Sequence, residues 1–318
     1  RQVTSFDMKI GDMMAYMQYA MQIIMAFLFL AMMFILVPRA IVSVNRIQEV
    51  LETEPTILDP DVPQNFPEPF YGEVRYEDVS FRYPGGEDDV LRRISFTARP
   101  GTTTAFIGAT GSGKSTLVNL LIRFYDVTGG RITVSGRDIR DVRLHDLREK
   151  VGYVPQKSVL FSGTIRSNLA YSDPDMPQDN VERAARIAQA ADFIGEKPDR
   201  YDESIAQGGG NLSGGQKQRL SIGRAVAKNA PVYVFDDSFS ALDLKTDRRL
   251  REALGSELSD ATKLIVAQRV STVMNADQIV VLDGGEVVGI GTHRTLLETC
   301  PVYHEIAASQ LSEEELKK

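Results

Sequence analysis

The chain has 318 residues, room for one sizeable domain and something smaller, with 36 basic against 43 acidic side chains and a net charge of -7. A pI near 5.2 and no lysine/arginine stripe argue against nucleic acid as the main partner. Cys300 is the single cysteine, so no disulfide forms within the chain, which suits a reducing cytosol.

The chain begins at Arg1 and not at a Met, shows no signal-peptide pattern in the residues given, and is expected to be a piece of a longer protein. Met13 to Val37 is apolar and uncharged, long enough to span a bilayer as a helix. Lys9 and Asp12 precede it and Arg39 and Arg46 follow, which places its C-terminal side in the cytoplasm. A buried core helix or an amphipathic partner helix is the alternative. One span encloses no pathway, so more spans are expected upstream or on partners. At about 100° per residue, Met14, Gln18, Met21, Gln22, Met25, Phe29 and Met32 share one side. Polar groups within a membrane face a bundle interior or a wet cavity, and methionine adapts to varied apolar ligands. That side therefore faces either a pathway or neighbouring helices. The helix is expected to run on from Pro38 to Glu52 into water. Pro55, Pro60, Pro63, Pro67 and Pro69 then mark an extended linker. The expected organisation is residues 1–52 for the membrane helix and its extension, 53–72 for the linker, 73–311 for the soluble domain and 312–318 for a charged tail.

Val74 to Phe81 and Val90 to Ala98 predict antiparallel strands around the turn Pro84-Gly85-Gly86. Tyr83, at the end of the first, either stacks on a purine ring or simply closes the strand. Thr102 to Ile107 reads as a buried strand and runs into Gly108 to Thr116, GATGSGKST, which fits the phosphate-loop pattern G-x-x-x-x-G-K-[ST] at every fixed position. Leu117 to Ile122 follows as a helix. Gly108, Gly111 and Gly113 allow the tight turn, and with Thr110, Ser112 and Thr116 they bring backbone N–H groups against phosphate oxygens. The helix N-terminus adds partial positive charge. Lys114 would reach the outer phosphates and the Ser115 hydroxyl would ligate Mg²⁺. A glycine-rich turn without ligand is the alternative, and the order of strand, loop, Lys-Ser and helix weighs against it.

Further on, Arg131 to Ser135 and Val151 to Val154 read as strands, the second ending at Gln156, which faces the crevice where open α/β sheets bind ligands. Thr164 to Asp199 is alanine-rich and expected to form a helical lobe. Gly208-Gly209-Gly210 leads to Ser213, Gly214, Gly215 and Gln216 at the entrance of a helix running from Gly215 to Lys228. This is a second anion site or a cap without ligand. Val232 to Asp237 is an apolar strand ending in two carboxylates. Asp236 would bind Mg²⁺ directly or through water, and Asp237 stands where a general base or water-positioning group belongs. Ser240 to Asp243 follows. Lys263 to Ala267 is a strand ending at Gln268, and Ile279 to Leu282 another, closed by Asp283-Gly284-Gly285. Ser309 to Lys318 reads as a solvated tail.

Together these segments resemble ATP-binding cassette (ABC) transporters of the exporter type, over nearly the whole chain. LSGGQ at Leu212 to Gln216 is that family's signature, and the arrangement is similar to the last membrane helix plus nucleotide-binding domain of a half-transporter. The resemblance implies an α/β fold: a RecA-like core, an antiparallel β subdomain and a helical subdomain, preceded by one transmembrane helix. It implies ATP and Mg²⁺ as ligands. Tyr83 then matches the adenine-stacking position, Gln156 the glutamine that meets Mg²⁺ and senses the membrane domain, Asp236 the metal-site aspartate and Asp243 the loop that crosses the dimer interface. It also implies a multi-pass plasma-membrane protein with a cytoplasmic nucleotide-binding domain, hydrolysing ATP to export a hydrophobic small molecule.

In that family two ATP molecules lie between head-to-tail subunits, each joining one subunit's phosphate loop to the other's signature. Two positions depart from the pattern: Asp237 replaces the usual Glu and Gln268 the usual His. Aspartate sets its carboxylate back by about 1.5 Å, a displacement that can cost on the order of a hundredfold in rate. Glutamine cannot become cationic. The chain then offers a good signature to its partner and a poor catalytic centre to itself, as in one half of a bacterial heterodimeric multidrug-type exporter. The alternatives are a non-hydrolysing regulatory ATP-binding module, or a soluble cassette ATPase of DNA repair or translation, which would lack the apolar stretch.

Overall fold

The computed structural model describes residues 9–312. One compact unit ends at Thr56 and the other begins at Ile57. The first is a single helix, α1 (Ile10–Glu52), running without a break through Pro38. Its best 18-residue window has a mean hydropathy of 2.6 and no buried residue. The apolar side chains are spread around the whole circumference rather than along one stripe. That is the pattern of a helix surrounded by lipid or by other helices, and α1 is long and apolar enough to cross a membrane.

In the second unit, residues 57–72 form neither helix nor strand, yet they are fastened down. Asp59 Oδ1 accepts from the Leu144 N–H at 2.7 Å, the Gln64 N–H donates to the Asp141 carbonyl at 2.8 Å, and the Thr262 hydroxyl donates to the Gly72 carbonyl at 2.7 Å. Phe66 and Phe70 pack on the core. β1 (Val74–Phe81) and β2 (Leu91–Ala98) follow, then β3 (Thr103–Gly108), the glycine-rich loop and α2 (Lys114–Leu121). Next come β4 (Gly129–Val134), β5 (Arg137–Asp138), α3 (Leu144–Glu149) and β6 (Val151–Val154). The alanine-rich stretch is not one continuous helix: β7 (Gly163–Thr164) leads into α4 (Ile165–Leu169), α5 (Gln178–Ile187) and α6 (Ala191–Gly195), and β8 (Ser204–Ile205) pairs back to β7. Pro174 and Pro177 force the first break, since neither can donate to a helical ladder. Gln189, at φ 54°, makes the second.

The remainder is α7 (Gly214–Ala227), β9 (Val232–Asp236), α8 (Leu244–Glu257), β10 (Thr262–Val266), α9 (Val270–Val273), β11 (Gln278–Asp283), β12 (Glu286–Gly291), α10 (His293–Thr299) and α11 (Pro301–Ala308). The stretch after α11, expected to be solvated, starts against the protein: Leu311 packs on the core because it is apolar, and residues 313–318 lie outside the described residues.

Two sheets organise this unit. An antiparallel sheet has the order β2-β1-β4-β5, and a six-stranded sheet the order β12-β11-β3-β10-β9-β6. In the larger one only β12 is antiparallel. The middles of its parallel strands are apolar because both faces are covered. Ile107, Phe235, Ile265 and Val281 point to the core shared with the helical elements. Their neighbours Phe106, Val234, Leu264 and Val280 point to the core shared with the antiparallel sheet and α2. Between those layers Tyr76 of β1, 1% exposed, stacks on Phe96 at 4.5 Å and donates its hydroxyl to the Leu117 carbonyl of α2 at 2.8 Å. The antiparallel sheet thereby holds the helix that carries the glycine-rich loop. Tyr76→Phe should leave that carbonyl short of a partner, costing about 1 kcal/mol and lowering Tm by roughly 2–4 °C with an unchanged far-UV spectrum, as measured by thermal unfolding.

Candidate functional site

Parallel register collects the candidate residues at one edge of the large sheet. Val154 lies opposite Phe235, Asp236 opposite Val266, and Val266 opposite Phe106. The segments leaving β3, β6, β9 and β10 therefore emerge side by side. They bring together Gly108–Thr116, Gln156, Asp236–Asp237 and Gln268.

The loop is shaped by close approaches. A Cβ on Gly108 would run into the Leu282 carbonyl oxygen and lie 2.9 Å from Ser112 Oγ. One on Gly113, at φ 94°, would lie 2.5 Å from Leu91 Cδ2. Both positions exclude any side chain. Thr110 and Gly111 form the exposed apex. Lys114 is 8% exposed, and its ammonium donates to the Gly108 carbonyl at 2.9 Å, the Ala109 carbonyl at 2.7 Å and Ser112 Oγ at 3.2 Å. Burial lowers its pKa, against the opposing pull of Asp237 and Asp236. No side chain caps the start of α2, so its first N–H groups are free to receive an anion at the loop. Tyr83 is half-buried beside this start: its hydroxyl shares a 2.9 Å hydrogen bond with Thr116 Oγ1, and its ring meets Phe81 and Tyr125 edge-on. Tyr125 escaped the sequence reading, although an aromatic just past the loop helix was the available signal.

Across the loop, Ser115 Oγ donates to Asp236 Oδ1 at 2.8 Å. A hydroxyl and a carboxylate, both hard oxygen ligands, meet where a phosphate-bound Mg²⁺ would have to sit, so the donor set fits that ion. Asp236 is 3% exposed and burial raises its pKa. Asp237 adopts φ 46° and donates its N–H to the Val266 carbonyl at 3.0 Å. Its Oδ2 accepts from Gln268 Nε2 at 2.9 Å and from Gln156 Nε2 at 3.5 Å. Both glutamines stand on the open side of the crevice and reach inward to the buried carboxylate. Burial raises the Asp237 pKa too, even with those amides and Lys114 favouring the charged form.

At the entrance of α7, Ser213 is the N-cap. Its Oγ accepts from the Gln216 N–H at 3.3 Å while Gln216 Oε1 accepts from the Ser213 N–H at 3.0 Å, a reciprocal capping box. Gly214 faces open space, whereas a Cβ on Gly215 would press on the Ala241 carbonyl at 3.3 Å. The bare Gly215 thus has a reason inside the chain. Gln218, which sequence alone did not single out, is 4% exposed and clamps the same segment. Its Nε2 donates to the Asp237 carbonyl at 3.4 Å and its Oε1 accepts from the Ala241 N–H at 3.1 Å. Asp243 is exposed and caps α8 through the Thr246 hydroxyl at 2.7 Å and the Thr246 N–H at 3.0 Å, which hold its carboxyl below the usual range. A cavity of about 300 Å³ lies between Asp237, Ser240, Gln268, Thr272 and Gln310.

The raised carboxylates predict a pH effect. An acid whose folded pKa exceeds its unfolded one keeps the folded chain more protonated, so stability falls as pH rises from the unfolded value, 3.8 for Asp236, through the folded one. Asp236→Asn keeps an acceptor for Ser115 and removes this penalty. The variant should be more stable than the parent at pH 7 without nucleotide, and the gap should close in acid, as thermal melts across pH will report.

Residues 91–240 match the family described as ABC transporter. An uncharacterised ABC transporter ATP-binding protein of Mycobacterium tuberculosis is 46% identical over 311 residues, 97% of this chain and 53% of that protein. YfiB of Bacillus subtilis, another uncharacterised ABC transporter ATP-binding protein, is 41% identical over 98% of this chain and 54% of its own length. An ATP-dependent lipid A-core flippase of Syntrophus aciditrophicus is 40% identical over 88% of this chain and 46% of its own. The structure of a bacterial Atm1-family ABC exporter with ATP bound superposes with a TM-score of 0.81 at 34% identity, over 96% of this chain and 53% of that one. The chain spans about half the length of these relatives. With an ABC cassette fold behind an N-terminal apolar helix, it carries the ATP-binding domain of an exporter-type ABC transporter.

Proposed function

We propose that this chain is the last membrane helix and ATP-binding domain of a half-transporter that couples ATP binding and hydrolysis to export, and that its own nucleotide site hydrolyses poorly while its signature serves a partner's site. In this reading Tyr83 stacks on adenine, the loop from Gly108 to Thr116 cradles the phosphates, and Lys114 exchanges its loop carbonyls for phosphate oxygens. Ser115, Asp236 and Gln156 hold Mg²⁺, which neutralises phosphate charge when bound. Asp243 lies on the edge offered to the partner subunit.

The observation that carries the asymmetry is the Asp237–Gln268 pair. A base must be held within reach of the attacking water. Asp237 is a methylene shorter than glutamate, and its Oδ2 is drawn to the Gln268 amide at 2.9 Å and, at longer range, to that of Gln156. Gln268 cannot turn cationic beside a terminal phosphate. The signature, by contrast, is complete, and its Ser213 hydroxyl and helix N-terminus stand exposed. An intact donor site next to a weakened acid favours a heterodimer over a symmetric enzyme. It also favours a participant in a shared site over a purely regulatory module. The apolar girth of α1 speaks for a membrane protein against a soluble repair or translation ATPase. A substrate with a large apolar part suits α1, and the flippase name of one relative points to an amphiphile.

Purified full-length subunits tested singly and in pairs decide this. Lys114→Ala should abolish labelled-ATP binding at this chain's site. Ser213→Ala should lower steady-state ATPase of the assembly by about a hundredfold, the usual cost of one lost transition-state donor. Asp237→Asn should lower it by less than about threefold, since little catalysis is lost at an already weak site. An Asp237→Asn loss as deep as that of Ser213→Ala would show this site to be competent and remove the case for a heterodimer.

A further inference from the structure

Val270 opens α9 and is fully buried, so its N–H, one of the donors a helix leaves unpaired at its start, is shielded from water. The preceding residue, Arg269, provides no side-chain cap. The acceptor comes from the other end of the domain. Gln310 Oε1 accepts the Val270 N–H at 2.8 Å, and Gln310 Nε2 donates to the Gln268 carbonyl at 3.0 Å. A single carboxamide thus bridges the turn on which Gln268 stands. Gln310 is itself seated: its N–H donates to the Ala307 carbonyl at 3.0 Å, and the adjacent Leu311 packs on the core.

The bridged turn matters because of where it points. Strand pairing of Val266 with Phe106 sets Gln268 beside the start of the phosphate loop. Its side chain lies on Asp237, which together with Lys114 marks the outer end of the phosphate track. The inner phosphates belong to the loop itself. We propose that Gln310 is a positioning residue for this site: its amide holds the turn after β10 so that the Gln268 carboxamide faces the place of a terminal phosphate. The C-terminal segment then tunes preference for a nucleoside triphosphate over a diphosphate. This rests on reading that edge as the ATP site.

The two ends of the bridge can be separated. Gln310→Glu keeps an acceptor for Val270 and loses the donor to Gln268. Gln310→Ala loses both. In full-length protein with the partner's site silenced, binding of radiolabelled ATP and ADP with Mg²⁺ is measured alongside amide exchange at Val270. Gln310→Glu should keep Val270 protected and hold ADP affinity, while the preference for ATP drops about five- to tenfold, the size of one hydrogen bond. Gln310→Ala should in addition speed Val270 exchange about tenfold. A Gln310→Glu protein with the parent's ATP preference overturns the proposal, whether or not Gln310→Ala folds. If the parent binds neither nucleotide, the reading of the site fails, and unchanged Val270 exchange in Gln310→Ala overturns the bridge on its own account.

Discussion

Three charged side chains, Lys114, Asp236 and Asp237, are buried together at the carboxyl edge of a parallel sheet, and much of the domain serves to make that tolerable. Burying an ion is costly unless it is paired and hydrogen-bonded. Each of the three has dedicated partners: loop carbonyls for Lys114, the Ser115 hydroxyl for Asp236, and two glutamine amides for Asp237. Even so, desolvation pushes both acids up and the lysine down, so the edge is held away from its electrostatic optimum. Such a site is poised to gain from a ligand that brings a cation to the carboxylates and an anion to the lysine. Both properties require a rigid, dry edge, which the two cores on the faces of the sheet provide.

How much of this was legible in the sequence depended on how local the cause was. The phosphate loop could be read because its glycines are demanded by short-range geometry: Leu282 stands in the way of a Cβ on Gly108, Leu91 in the way of one on Gly113, and Gly111 adopts φ 84°. Strands β9, β10 and β11 were readable because burial on both faces leaves an unbroken apolar run. By contrast β12, half-exposed at the sheet edge, offers only a weak alternation. Helix α8 is dominated by charged residues and buries just Asp247, Leu250 and Leu254. The alanine-rich stretch reads as helical and is so in pieces, but its breaks at Pro174–Pro177 and Gln189 lack a periodic signal, and its helices share one core with the large sheet instead of standing apart. Nothing in spacing could pair Gln310 with Val270, because 40 residues, β11 and β12 among them, separate the two.

Helix α7 and the segment after β9 are also parts of one scaffold. Gln218 of α7 holds the Asp237 carbonyl and the Ala241 N–H, while Gly215 packs bare against the Ala241 carbonyl. The segment from Asp237 to Ala241 is therefore gripped by the same helix whose entrance carries Ser213. Gly215 and Gln218 thus set where the α7 entrance stands through backbone groups alone, independently of the Asp237 side chain.

Asp237 and Gln268 are not independent of each other either. The Asp237 carboxylate meets the Gln268 amide at 2.9 Å, already an ordinary hydrogen-bond length. A glutamate there would carry the carboxylate forward by about 1.5 Å. The longer carboxylate would displace the Gln268 side chain or turn into the adjoining cavity of about 300 Å³, while the backbone there is tied at Ala267 to Phe106 and at the Gln268 carbonyl to Gln310. Asp237 and Gln268 therefore act as one hydrogen-bonded unit at this edge, and a change at either side chain is felt by the other.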